Sequence, residues 1–264
     1  MRTHRSPETN SAMAEGFQPI AVRAPSENPW LFRARCGIDL QLLTIVHFLR
    51  DPLAACHGRV LDVGAGAAPW RDFLPADVEY LGVDIGSAAD FGMRLRPDIV
   101  YYDGNTLPFG NGSFDQVLCV EVLEHVPDPT AFLAEIKRVV KAGGKLILTI
   151  PWSARLHHLP HDYGRFTRIG LSRVLISAGF INVRIFERGN DIAVIANKLT
   201  VLSLRLLRPK YLRQCVWAWP LALMVAPMTI AFLVAAYFAL WLKLGSAEDP
   251  LGYGAIATAP ALDR

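Results

Sequence analysis

Apolar residues along this chain follow two rhythms: short unbroken runs, and longer stretches where they recur every three or four positions. Unbroken runs at 60–63, 80–84, 99–103, 114–121 and 143–151 are what strands covered on both faces of a sheet present. Helical spacing appears over 31–50, through Ile38, Leu42, Ile45, Val46 and Leu49. It recurs after Asp128-Pro129, where Phe132, Leu133, Ile136, Val139 and Val140 share one face. Gly143 and Gly144 are expected to end that helix as a C-cap would, and Thr167 to cap another over 171–178. The stretch after Asp84 is poor in helical pattern and predicts a loop or a single turn. Strands alternating with helices predict an α/β chain.

The first run stops at Gly64 and Gly66, two glycines spaced by one residue. Glycine there lets the backbone take positive φ and come close to a ligand, and Pro69 then suits the first turn of a helix. Strand, glycine turn and helix start form the nucleotide-binding corner of a doubly wound sheet. Eighteen residues after Gly66 the second run ends in Asp84, where an acid accepts hydrogen bonds from both hydroxyls of a ribose. The third ends in Asp103 and leads into Gly104, and the fourth runs through Glu121 toward His125. Polar groups at the C-terminal end of every run describe one ligand crevice along one sheet edge. A nicotinamide oxidoreductase would need a third glycine where Pro69 stands, and a phosphate-cradling G-x-x-x-x-G-K-[ST] loop is absent.

The series resembles the class I S-adenosylmethionine-dependent methyltransferases over about residues 30–190 and 251–259. The matching pieces are the D-V-G-A-G turn at 62–66, Asp84, the D-x-x-x-L-P-F segment at 103–109, S-F-D leading into V-L-E-H-V, and G-G-x-L at 143–146. The resemblance implies a doubly wound, mostly parallel seven-stranded sheet ending in an antiparallel pair, with strands near 181–187 and 251–258. It implies S-adenosyl-L-methionine as cofactor: Asp62, Gly64 and Gly66 at the methionine part, Asp84 at the ribose, Asp103 and Gly104 near the adenine, and Glu121 beside the methionine end. Ala65 and Ile85 join them as cofactor contacts. Ala68 departs from the family pattern, in which most members carry glycine there. Residues 161–167 resemble an H-D-Y-x-R-F-T segment of one subgroup, followed by a helix and an A-G-F corner at 178–180.

That segment falls where such a sheet places its substrate-facing loop. His161, Tyr163 and His125 are the candidates to orient or deprotonate an acceptor hydroxyl or amine, since imidazole titrates near neutrality. The competing reading has Asp162 and Arg165 tie the loop down while His161 bonds the backbone. His157 and His158 read as loop histidines. No metal site is expected, because no carboxylate or second histidine falls at helical i,i+4 spacing and the four cysteines are scattered.

A formal net charge of +3 on 264 residues gives no argument for nucleic acid as a partner. Residues 1–29 are polar, interrupted by Pro7, Pro19, Pro25 and Pro29; they read as a mobile tail without a signal peptide. The domain proper is expected over 30–190 plus 250–260, with an apolar helical insert at 191–249 before the last strand.

Within that insert, 216–242 runs 27 residues without a charge, more than the about 20 that a membrane helix needs. Trp217, Trp219 and Trp241 are placed like interfacial anchors, and Arg205, Arg208, Lys210 and Arg213 crowd the flank that the positive-inside rule keeps cytoplasmic. The last two strands must pair on one side of any membrane, which a single crossing forbids. The stretch therefore re-enters by bending at Pro227, or lies in the interface with 192–207 along the surface. Otherwise it packs internally, or it spans because the last strand is misread. Membrane contact is the preferred reading. It points to a small or lipid-linked acceptor met at the cytoplasmic face of a membrane, with the oligomeric state open. A membrane-docked scaffold without catalysis is the alternative from another class.

Overall fold

The computed structural model describes residues 21–87 and 95–261. Most of the expected tail, and residues 88–94 after Asp84, lie outside the described residues. Seven strands form one sheet in the order β3-β2-β1-β4-β5-β7-β6. They are β1 Arg59–Val63, β2 Glu79–Ile85, β3 Ile99–Tyr102, β4 Phe114–Val120, β5 Val140–Pro151, β6 Ile181–Arg188 and β7 Gly252–Thr258. Only β7 runs antiparallel to its neighbours, so the doubly wound sheet is found with every expected strand in place. Across its middle, Leu61 pairs with Leu81 and Val117, and Val117 with Leu146.

Both faces of the central strands are covered, which explains the unbroken runs. Leu61, Val63, Val117, Cys119, Leu146 and Leu148 pack with α3 (Pro129–Val139) and α4 (Arg168–Ser177). Their sequence neighbours Val60, Leu118, Val120 and Ile147 pack on the other face against Leu42, Ile45, Leu49 and Leu53 of α2 (Leu40–Ala54). Thr167 caps α4 by accepting from the Gly170 N–H.

Four local expectations fail for identifiable reasons. The 31–50 helix is two helices, α1 (Pro29–Cys36) and α2. The Asp39 carboxylate caps α2 through the Leu42 N–H, which favours an extended Asp39 over a continuing helix, and Ile38 in the break is exposed. Helix α3 stops at Val139, not at Gly143-Gly144, because the chain is drawn early into the sheet. Val140 pairs with Phe114, and the Ser113 N–H donates to the Val139 carbonyl. No α-helix follows Pro69; a single 3-10 turn, Arg71–Phe73, stands there. Ala68 before it is left-handed (φ 55) and Leu74 after it is extended, as a residue ahead of Pro75 prefers.

The fourth concerns the insert. Helix α5 (Asp191–Leu207) leads through residues 208–214 into α6 (Cys215–Leu242), and the two pack against each other. Helix α6 continues unbroken through Pro220 and Pro227. The chain thus returns through the turn between two helices, not by a bend at Pro227. Packing along α5 holds α6 together despite two missing backbone donors.

Candidate active site

Strand β1 ends at a turn bound to the tip of β2. The N–H groups of Gly64 and Ala65 both donate to the Val83 carbonyl, at 2.8 and 3.1 Å. Gly64 (φ 75) and Gly66 (φ 53) are left-handed, and a Cβ on Gly64 would fall 2.4 Å from the Val122 side chain. Glycine is therefore required there by backbone shape and by space. Asp84 joins the two tips: Oδ2 accepts from the Gly66 N–H and Oδ1 from the Ile85 N–H, both at 2.8 Å. Burial pushes its carboxyl up, and the two N–H donors pull it back.

Asp62 lies beneath this turn, 1% exposed. Its Oδ2 accepts from the Tyr80 hydroxyl at 2.8 Å, and its Oδ1 has no hydrogen-bond partner. Burial pushes its carboxyl up to about 7, as desolvation of a charge requires. Gly104 (φ 86) sits with Ile85 at the next tip, where the Gly86 N–H donates to the Tyr102 carbonyl. Asp103 is exposed, and its carboxylate accepts the Asn105 and Thr106 N–H groups, which hold it below the usual carboxylate range. Gly64, Ala65, Gly66, Asp84 and Ile85 thus form one bonded turn at the β1 and β2 tips, with Asp62 tied to β2 through Tyr80 and Asp103 and Gly104 bordering it.

Glu121 follows β4 in a left-handed conformation (φ 55). Its Oε1 accepts from Nη2 of Arg188 at 2.8 Å. Arg188 is 2% exposed and also donates to the Ile150 and Tyr253 carbonyls. This ion pair, buried on the Arg188 side and part-exposed at Glu121, holds the β4 tip against β6 and β7.

The candidate catalytic residues come together in a second cluster. The His125 Nδ1 lies 2.6 Å from the His161 carbonyl. A carbonyl only accepts, so Nδ1 carries the proton and Nε2 the lone pair. Burial lowers the pKa of His125 to about 4, leaving it neutral at pH 7. The His161 ring contacts the Tyr163 hydroxyl at 2.9 Å. Asp162 pairs with Arg165 at 2.6 Å and accepts the His157 N–H. Burial opposes its charge, and those partners hold the carboxyl low. Asp162 and Arg165 therefore do tie the loop down, and the His161 ring contacts the Tyr163 hydroxyl.

Glu124 is the residue the sequence reading missed. It is completely buried, neither carboxylate oxygen has a hydrogen-bond partner, and burial pushes its pKa well up. Ligand atoms of Glu124, His125 and His157 lie within 4.8 Å of one another. The spacing argument against a metal cluster does not survive the fold: two loops distant in sequence bring together three groups able to hold a cation. His157, read as a plain loop histidine, is one of them.

Residues 61–148 match the family described as a methyltransferase domain. A demethylmenaquinone methyltransferase of Renibacterium salmoninarum is 41% identical over 105 residues, 37% of this chain and 44% of that protein. An uncharacterized methyltransferase of a Mycobacterium species is 39% identical over 98 residues, 34% and 37% of the two chains. A ubiquinone biosynthesis O-methyltransferase of Xanthomonas oryzae is 60% identical over 38 residues, 14% and 16%. This chain therefore spans less than half the length of the curated relatives it matches. Among solved structures, the cyclase SpnF aligns over 84% of this chain and 83% of its own at 18% identity, with a TM-score of 0.51. At that identity the likeness shows the fold alone. Residues 61–148 thus match a methyltransferase domain. The H-D-Y-x-R-F-T segment lies outside the matched residues.

Proposed function

We propose that the chain transfers a methyl group from S-adenosylmethionine to a small or lipid-linked acceptor by in-line displacement, at the cytoplasmic face of a membrane. The observation that carries this is Asp84. Each of its oxygens accepts one backbone N–H, which fixes the carboxylate across the β1 and β2 tips and leaves a lone pair on each oxygen for paired ribose hydroxyls. The orphaned Oδ1 of Asp62 suits the ammonium group of the methionine part, since a buried carboxylate oxygen without a donor costs free energy until a cation meets it. Gly64 and Gly66 admit that part against bare main chain, with Ala65 and Ile85 flanking it, Asp103 and Gly104 bordering the adenine, and Glu121 beside the methionine end.

When bound, the sulfonium supplies a methyl group already activated for transfer. The protein's share is then to position the acceptor, exclude water and hold its proton. Neutral His125, with the lone pair on Nε2, can accept a hydrogen bond from the acceptor and orient it; His161 and Tyr163 hold the loop that positions the ring. Two curated relatives are named for demethylmenaquinone and for ubiquinone biosynthesis, and the exposed apolar hairpin suits an acceptor of similar apolar character.

Calorimetric titration with S-adenosylhomocysteine tests the reading. The unaltered protein binds, and Asp84→Ala weakens binding tenfold or more, about 1.4 kcal/mol. Equal affinity of the two proteins would overturn it.

A further inference from the structure

The α5–α6 hairpin is packed inside out. Helix α6 turns Ala218, Ala222, Ala236 and Ala239 inward, each 5% exposed or less, while Leu223 (77%), Met224 (72%) and Trp241 (75%) point away. Across the seam the Ser203 and Thr229 hydroxyls bond at 2.8 Å. Small residues at the contact, a hydroxyl bond between helices and large apolar side chains outside are how helices pack in lipid. Helix α6 is long and apolar enough to cross a membrane, yet only 11% of its most apolar window is buried.

Charge identifies the covering phase. Residues 192–243 contain no Asp or Glu and six Lys or Arg. Arg208, Lys210 and Arg213 gather at the turn, and Lys243 stands at the far end of α6. Cations at both ends of an apolar helix match anionic headgroups, to which each adds attraction.

Topology rules out a crossing. Arg188, ending β6, pairs with Gly252, opening β7, so both ends of the hairpin leave one sheet edge. A crossing would need α5 to cross as well. Its 17 residues span about 25 Å, against a hydrocarbon core of about 30 Å. Part of that length is already taken by packing of Ala193, Val194 and Ala196 against Leu40 and Leu251.

We infer that α6 lies in the plane of one leaflet of an anionic bilayer, as an in-plane anchor. The hairpin leaves the sheet at the end of β6 and the start of β7, beside the C-terminal end of β5, which is the same end at which β1, β2 and β4 reach Gly64, Asp84 and Glu121. The anchor therefore holds the crevice at the bilayer, and an acceptor dissolved in the leaflet reaches it without entering water. This consequence rests on the methyltransferase reading; the anchor does not.

The test mixes the full chain with vesicles of phosphatidylcholine alone or with phosphatidylglycerol, and follows co-sedimentation. The protein sediments with both, more strongly with phosphatidylglycerol at low salt. A variant with Leu223→Glu, Met228→Glu and Phe238→Glu partitions tenfold or more weakly, yet keeps the unaltered protein's S-adenosylhomocysteine affinity, which shows that it is folded. In Lys210→Cys, a charged maleimide added outside the vesicles labels the turn, over the background of the natural cysteines. Protein that stays in the supernatant overturns the anchor, as does a discrete dimer without vesicle binding, in which a second copy covers the helix. Protection of the Lys210→Cys thiol from the maleimide overturns the in-plane placement. Sedimentation without any S-adenosylhomocysteine binding leaves the anchor standing and removes only the methyltransferase reading.

Discussion

Leu148 in β5 and Leu223 in α6 are the same residue in two surroundings. The first is completely buried between sheet and helices, and the second is 77% exposed on a helix that turns Ala218, Ala222, Ala236 and Ala239 inward. The sheet follows the rule of water, with large apolar groups inside. Under the in-plane anchor inferred above, the hairpin follows the rule of lipid, where apolar exposure costs nothing and close backbone approach decides packing. Buried ionisable groups divide the same way. Asp62, Glu124 and Arg188 are buried in the body, whereas among the described residues α5 and α6 bury none.

The largest test of this contrast is Arg188→Ala. It leaves the Glu121 carboxylate beside a vacated buried space and strips donors from the Ile150 and Tyr253 carbonyls. Breaking a fully buried pair costs about 3–5 kcal/mol; with Glu121 a quarter exposed that is the upper bound for this loss, read by denaturant unfolding. A loss below about 1 kcal/mol, the worth of a surface pair, would mean that the body does not depend on its buried charge.

Next in size is the paired truncation of the two leucines. Leu148→Ala is expected to lose about 2–5 kcal/mol by transfer and cavity terms. Leu223→Ala, measured in detergent, stays within about 0.5 kcal/mol. Comparable losses at the two sites would erase the distinction between regions.

Asp62 offers a pH handle on the body alone. Its folded pKa, about 7, stands above the ordinary carboxylate value, so the folded state keeps a proton that the unfolded state releases. The resulting stabilisation is full below about pH 4 and is lost as pH rises toward 7, at up to about 1.4 kcal/mol per unit. Asp62→Asn carries no titrating group there. The stability difference between the two proteins thus shifts toward the variant between pH 4 and 7, whatever the other groups do. A flat difference would show that Asp62 is ionised in the folded protein.

What was legible in the sequence follows from what is local. Five of the seven strands were, because burial on both faces writes an unbroken apolar run; β6, exposed or half-buried over most of its length, and β7 came only with the family resemblance. Asp84 was legible as well, since its distance from the glycine turn is set by one strand-and-loop repeat. Glu124 was not: its burial is made by the loop at 157–163 folding over it, some 30 positions on. Arg188 looks like any arginine at a strand end until β7 closes over it. The hairpin was half legible. An apolar run of this length suggests lipid, but a helix apolar on every side has no face to read, so only the packed partner shows that Ala218, Ala222, Ala236 and Ala239 point in.

The smallest effect is the most local. Ala68 holds a left-handed conformation (φ 55) that costs an L-residue about 1–2 kcal/mol. Glycine removes that strain but widens the unfolded ensemble, a counter-term of about 0.5–1 kcal/mol. It also deletes a methyl packed with Ala65 and Ile99. Ala68→Gly is therefore expected to stabilise by less than about 1 kcal/mol, seen as a small rise in Tm with S-adenosylhomocysteine affinity unchanged. A fall in Tm would show that the methyl contact outweighs the strain, and that this turn is held by packing in the way the rest of the body is.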